Sequence, residues 1–228
     1  MEIQLTSFAA GAAAASGTVV VIDVFRAFTA AAVALAQGAG RIIMVASLDE
    51  ALALRANGEG DRCMGERHGA KPEGFDFGNS PSELERASLR GLTLIQTTSN
   101  GTAGIAAARG ATRLYAGAFV TAEATVRALL RDSQEKVTLV AMGRNGRRRA
   151  DEDELCAFYL RARLEGRAPD KAAISALLTT MPSLPDARLI ASGEYDLRDR
   201  AIAAEIDRAD FAIRVRSENG RWVAEAEH

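Results

Sequence analysis

The chain has 228 residues, enough for one large domain or two small ones with a full core. Apolar residues make up 48 % and charged residues 25 %, as in ordinary soluble globular proteins, and a net charge of −2 excludes a global basic field for nucleic acid. No stretch approaches the roughly twenty consecutive apolar residues of a membrane helix, and two distant cysteines, Cys63 and Cys156, predict small core residues in a reducing cytoplasm rather than a disulfide framework or zinc site.

The early run "FAAGAAAAS" lacks the basic start of a secretory leader and predicts a helix or loop. "TVVVID" (Thr18–Asp23) is a β-branched run, predicting a buried strand, and the alanine-rich segment after it predicts a helix ending at Gly38. "RIIMVAS" (Arg41–Ser47) predicts a second buried strand. Ser47, with Glu50 three residues on, opens a capping-box helix that stops near Gly58. Ser80 and Pro81 start another helix. Next come a strand, a polar loop "QTTSNGT" (Gln96–Thr102), an alanine-rich helix and a strand. Thr121 is the expected N-cap of the following helix. "KVTLVAMG" (Lys136–Gly143) predicts a strand, the basic loop after it leads into a helix with acidic first turn, and "FAIRVRS" (Phe211–Ser217) a late strand.

This alternation predicts an α/β fold with a mixed or largely parallel sheet flanked by helices. A shift of 72 residues lays "GAGRIIM" (Gly38–Met44) on "GATRLYA" (Gly110–Ala116), so the single domain spanning 1–228 could hold two similar halves, about 1–90 and 91–228.

Ligands of such sheets bind beyond the carboxyl ends of strands. After the first strand stand Asp23, a candidate Mg²⁺ ligand, and Arg26, a fork of donors for an oxyanion; a structural Asp–Arg pair is the alternative. Thr97, Thr98, Asn100, Gly101 and Thr102 predict an anion cradle at a helix start, where simple capping by Ser99 or Asn100 is the alternative. Arg144 follows a third strand, with Glu152 and Asp153 at the next helix start. The segment "GERHGAKPEGFDFGNSP" (Gly65–Pro81) adds Glu66, Arg67, Lys71, Asp76, Asn79 and Ser80, with His68 read as a loop residue. Cations that bind anions thus alternate with carboxylates that bind Mg²⁺, a combination suited to phosphoryl chemistry on a small polyanion. The P-loop, GxGxxG, GxSxG and aspartyl-phosphate DxD patterns are absent.

In their order and spacing, "VIDVFRAFTAA", "GERHGAKPEGFDFGNSP", "TTSNGT" and "EDELCA" resemble the 2-phosphosulfolactate phosphatase family, known from coenzyme M biosynthesis. The resemblance runs from about Val19 to Ala157. It implies a Mg²⁺-dependent phosphatase of 2-phospho-3-sulfolactate, with an α/β fold of two similar halves and the active site between them. By motif, it implies catalytic roles for Asp23, Arg26, Glu66, Lys71 and Asn100, and substrate binding by Arg67, Asn79, Ser80, Thr97, Thr98, Gly101 and Arg144. It implies metal binding by Asp23, Asp76, Glu152 and Asp153. Phe28, Ser99 and the basic loop "GRNGRRRADED" depart from the family pattern, which opens the identity of the substrate. The alternatives are a phosphatase of another phosphorylated 2-hydroxy acid and a non-catalytic anion-binding protein. The expected partner is a small polyanion, with neither nucleic acid nor membrane, and the alanine-rich helices would suit a homodimer.

Overall fold

Runs such as Val19–Ile22 can bury both faces, which only strands inside a helix-covered parallel sheet require. In the computed structural model they do so. Residues 1–131, 135–181 and 196–228 are described. The strands are β1 (Glu2–Ser7), β2 (Gly17–Ile22), β3 (Arg41–Met44), β4 (Arg62–Gly65), β5 (Thr93–Thr97), β6 (Ala111–Gly117), β7 (Lys136–Ala141), β8 (Ala212–Glu218) and β9 (Arg221–Glu227). The helices are α1 (Phe8–Ala14), α2 (Ala27–Ala36), α3 (Leu48–Ala56), α4 (Pro81–Glu85), α5 (Gly101–Ala107), α6 (Ala122–Arg131), α7 (Asp151–Leu164), α8 (Lys171–Thr180) and α9 (Leu197–Ala203).

Among the described residues, nine strands form one sheet, ordered β1-β7-β2-β6-β8-β9-β3-β5-β4. The fold is therefore α/β with a mostly parallel mixed sheet. One parallel set is β1, β7, β2 and β6, and the other is β3, β5 and β4. The β8–β9 hairpin lies between them, antiparallel to β6 on one side and to β3 on the other. Each set draws strands from both sides of residue 90, so a division there does not separate them. The two strand–helix–strand units that align at a 72-residue shift are crossovers: α2 leads from β2 to β3, and α5 leads from β5 back to β6.

Side chains along β2 alternate between two cores, as a strand of period two must. Val19 and Val21 face a core that also takes Ile42, Leu94, Ile213 and Ala224, so one face of the sheet from β7 to β4 closes over one interior. That interior is filled by α2, whose every residue from Ala27 to Leu35 is buried. Small side chains let α2 sit there. Val20 and Ile22 face a second core under α6 and α7, and Ile43, Cys63 and Ile95 a third under α3.

The expected caps are partly realised. Ser47 Oγ accepts from Glu50 N at 3.0 Å, and Ser80 precedes Pro81 at the start of α4 with its Oγ accepting from Glu83 N at 3.3 Å. Thr121 is not the N-cap of α6. It ends a 3₁₀ turn, its hydroxyl donates to Ala118 O, and the Glu123 N–H is taken instead by Asp207 Oδ1 at 2.7 Å. Three strands, β1, β4 and β9, arise where the sequence marked none. They are short or alternate with charged residues, and the ladders of β7, β5 and β8 recruit them. Both cysteines are buried and free. No described helix is long and apolar enough to cross a membrane.

Candidate active site

Five strand ends and helix starts deliver the polar residues. Asp23 and Arg26 link β2 to α2, Glu66 follows β4, Thr98 to Asn100 link β5 to α5, and Arg144 follows β7. Glu152 and Asp153 open α7.

Asp23 is 7 % exposed. Its Oδ1 accepts from Ala27 N at 3.1 Å, and the Gly101 N–H also points to it. Burial pushes its carboxyl up to about 7; the Ala27 N–H opposes this, and the charges of Glu66 and Glu152 add to it. Asp153 is held well above the usual carboxylate range by burial and by Asp23 and Glu152, with the Val24 and Gly143 N–H groups opposing. Those groups donate to its Oδ1 and Oδ2 at 2.7 and 2.9 Å, so Asp153 pins the ends of β2 and β7. Glu152 is 1 % exposed; its Oε1 pairs with Arg144 Nη2 at 3.0 Å, and its Oε2 has no partner.

Glu66 joins two loops. Its Oε1 accepts from Ser99 N at 2.6 Å, and its Oε2 from Gly69 N at 2.8 Å and Ser99 Oγ at 3.1 Å. Gly65 makes this possible: its φ is +147°, and a Cβ there would lie 1.9 Å from Thr97 O. Arg26 Nη1 meets Asp199 Oδ2 at 2.8 Å, and its Nη2 reaches Gly69 O at 3.3 Å. Gly101 permits another close approach, because an added Cβ would stand 2.7 Å from Ala27 Cβ and 3.0 Å from Asp23 Oδ2. Asn100 Oδ1 accepts from Gly146 N at 3.1 Å, which ties α5 to the Arg144 loop. Asn79 is buried, and its Oδ1 has no partner.

Other expected residues serve the scaffold. Asp76 is not brought to the carboxylate cluster: its Oδ2 accepts from Cys63 N and Arg55 Nη1, both at 2.8 Å, at the start of β4 rather than its end. Arg67 donates to Glu66 O, Ala46 O and Thr97 Oγ1, which fastens the loop and uses the Thr97 hydroxyl. Thr98 and Thr102 cap one another, each hydroxyl accepting the other's backbone N–H. This gives α5 its cap in place of Ser99 or Asn100. Ser80 Oγ donates to Asp199 Oδ1. Lys71 is exposed on its loop, and Phe28 is fully buried, its ring beneath Gly101. The basic residues Arg147 to Arg149 are exposed.

Among the described residues, no three His, Cys, Asp or Glu side chains converge as a ready-made metal centre. Mg²⁺ commonly uses only one or two carboxylates, completing its shell with water and substrate phosphate. The unpartnered Glu152 Oε2 beside Asp23 fits that smaller demand, since a cation would relieve both carboxylates.

A model of the 2-phosphosulpholactate phosphatase family matches residues 6–206, which include every element of this site. The chain belongs to the 2-phosphosulpholactate phosphatase family. Among its relatives in the family, each described as a probable 2-phosphosulfolactate phosphatase, is a Thermotoga petrophila protein, 42 % identical over 130 residues. That match covers 57 % of this chain and 55 % of the relative, little more than half its length. A Deinococcus radiodurans protein is 33 % identical over 83 % of this chain and 81 % of its own. A Prochlorococcus marinus protein is 36 % identical over 83 % of this chain and 85 % of its own.

Sequence reasoning missed Asp199 and Gln96. Gln96 is fully buried and donates through Nε2 to Ala27 O at 2.9 Å, joining β5 to the start of α2. Its polar side chain within an apolar strand was a signal. Asp199 offered only an ordinary charged helix segment.

Proposed function

We propose that this chain is a Mg²⁺-dependent phosphatase that hydrolyses 2-phospho-3-sulfolactate to sulfolactate and phosphate. Family membership supplies the substrate class. The unpartnered Glu152 Oε2, buried among Asp23, Asp153 and Arg144, carries the assignment of the site. Asp23 and Glu152 would hold Mg²⁺, which when bound neutralises phosphate charge and polarises phosphorus.

Arg26 and Arg144 would face developing negative charge on the transferring phosphoryl group, while the Ser99, Gly101 and Thr102 N–H groups are spent on Glu66, Asp23 and Thr98 and hold the α5 start in place. Hydrolysis breaks the phosphorus–oxygen ester bond, forms a bond from phosphorus to the water oxygen, and moves one water proton to the alcohol oxygen. A carboxylate of the cluster that does not hold the metal would relay that proton. Asn79, with its free Oδ1, binds a hydroxyl or protonated group of the substrate.

One observation favours a second substrate of the same class. Arg67, expected to grip the sulfonate or carboxylate, is already engaged with Ala46 O and Thr97 Oγ1. A less anionic phosphorylated 2-hydroxy acid needs fewer cations. The test is phosphate release from racemic 2-phospho-3-sulfolactate beside 2-phosphoglycerate and phosphoglycolate, with Mg²⁺ or EDTA. Mg²⁺-dependent release favouring the sulfonate is expected. Preference for the others moves the substrate, and release from none by folded protein refutes the phosphatase.

A further inference from the structure

We propose that Asp199 is a positioning residue that orients Arg26 toward the substrate anion. The kinetic part rests on the phosphatase assignment. Asp199 lies on α9 and is 0 % exposed. Its Oδ2 accepts from Arg26 Nη1 at 2.8 Å, and its Oδ1 from Ser80 Oγ at 2.8 Å and Ser82 N at 2.9 Å. One carboxylate from α9 therefore joins the Arg26 loop to the start of α4.

Asp199 is not needed to start its own helix. Asp196 does that, accepting from Arg198 N at 2.8 Å. The bonds of the Asp199 carboxylate are all tertiary, and its guanidinium partner is 173 residues away in sequence. On its other side, Arg26 Nη2 meets Gly69 O at 3.3 Å. Held at both terminal nitrogens, the planar guanidinium keeps a fixed orientation, as directional recognition of an oxyanion demands. Small errors in the placement of such a group cost large factors in rate.

The experiment is a double-mutant cycle in the full chain with Asp199→Asn, Arg26→Met and both together. It reads steady-state phosphate release, calorimetric affinity for inorganic phosphate, and the thermal midpoint. Asp199→Asn is expected to lower kcat about 30-fold with KM changed less than about threefold, and to weaken phosphate binding about tenfold. In the Arg26→Met background, adding Asp199→Asn should change neither quantity by more than about twofold. A purely structural Asp199 would instead give multiplied losses, and that result overturns the proposal. So does a folded Asp199→Asn protein with wild-type kcat and phosphate affinity. If the wild type turns over no phosphate ester but binds phosphate, the phosphatase assignment fails while the affinity cycle still decides the role of Asp199. A wild type that does neither overturns both. Should Asp199→Asn not fold, Asp199→Glu keeps the charge, displaces it by one methylene, and is expected to show the same kcat loss.

Discussion

Asp23 illustrates how burial turns an ordinary carboxylate into a titrating group. Its folded-state carboxyl sits at about 7 against 3.8 for the free group. Between those values the folded protein holds a proton that the unfolded chain has released. Stability from Asp23 is therefore fullest below about pH 4 and is lost as pH rises to about 7, a span of roughly 4 kcal/mol. Asp153, also raised, acts in the same direction. In EDTA-treated protein, Asp23→Asn should raise the thermal midpoint at pH 8 and change it little at pH 4; with Mg²⁺ supplied, the same substitution should reduce phosphate release about a thousandfold. Added Mg²⁺ should raise the midpoint of the wild type more at pH 8 than at pH 5.5. Equal shifts at both pH values would place the ion elsewhere. Gly101 makes a steric prediction. Gly101→Ala would push the start of α5 from Asp23, costing about 1–3 kcal/mol in denaturant titrations and lowering kcat at least about tenfold.

Single elements separate capping from chemistry. Ser47 caps α3 at its exposed end, so Ser47→Ala should cost about 1 kcal/mol and leave turnover unchanged. The loop from Gly65 to Pro81 reads in sequence as one charged segment, yet its carboxylates diverge. Glu66 fastens the loop to Ser99, and Asp76 fastens it to Arg55 and Cys63. Asp76→Asn should thus lower stability and keep the Mg²⁺ concentration for half-maximal activity. Glu152→Gln should raise that concentration at least about tenfold. Metal titrations of the two variants under one assay would decide, and a metal defect in Asp76→Asn alone would reverse the assignment.

Across the whole molecule, the β8–β9 hairpin makes one sheet of two parallel sets. Ile213 on β8 is fully buried in the core that both sets share. Ile213→Ala should cost about 2–5 kcal/mol, and chemical unfolding should remain a single transition, because no set owns that interior. Two separate transitions would show the sets to be independent units. The same shared interior is consistent with a sequence that shows no linker or composition shift near residue 90.

Sequence alone determined what depends on neighbours in the chain. The apolar run of β2, the alanine content of α2, the Ser47 and Ser80 caps and the order of the polar loops were all legible, since local periodicity and capping chemistry dictate them. The family was legible too, through motifs held at fixed spacing. Tertiary structure decided which residues share the site. Asp76 and Asp23 look equivalent in sequence, but one lies at the start of a strand and the other beyond an end. Strands β1, β4 and β9 exist because neighbouring ladders offer them partners. Asp199 joins Arg26 because the fold returns α9 to the start of α2 and α4. Its carboxylate is buried by that packing, and no local pattern around it records the contact.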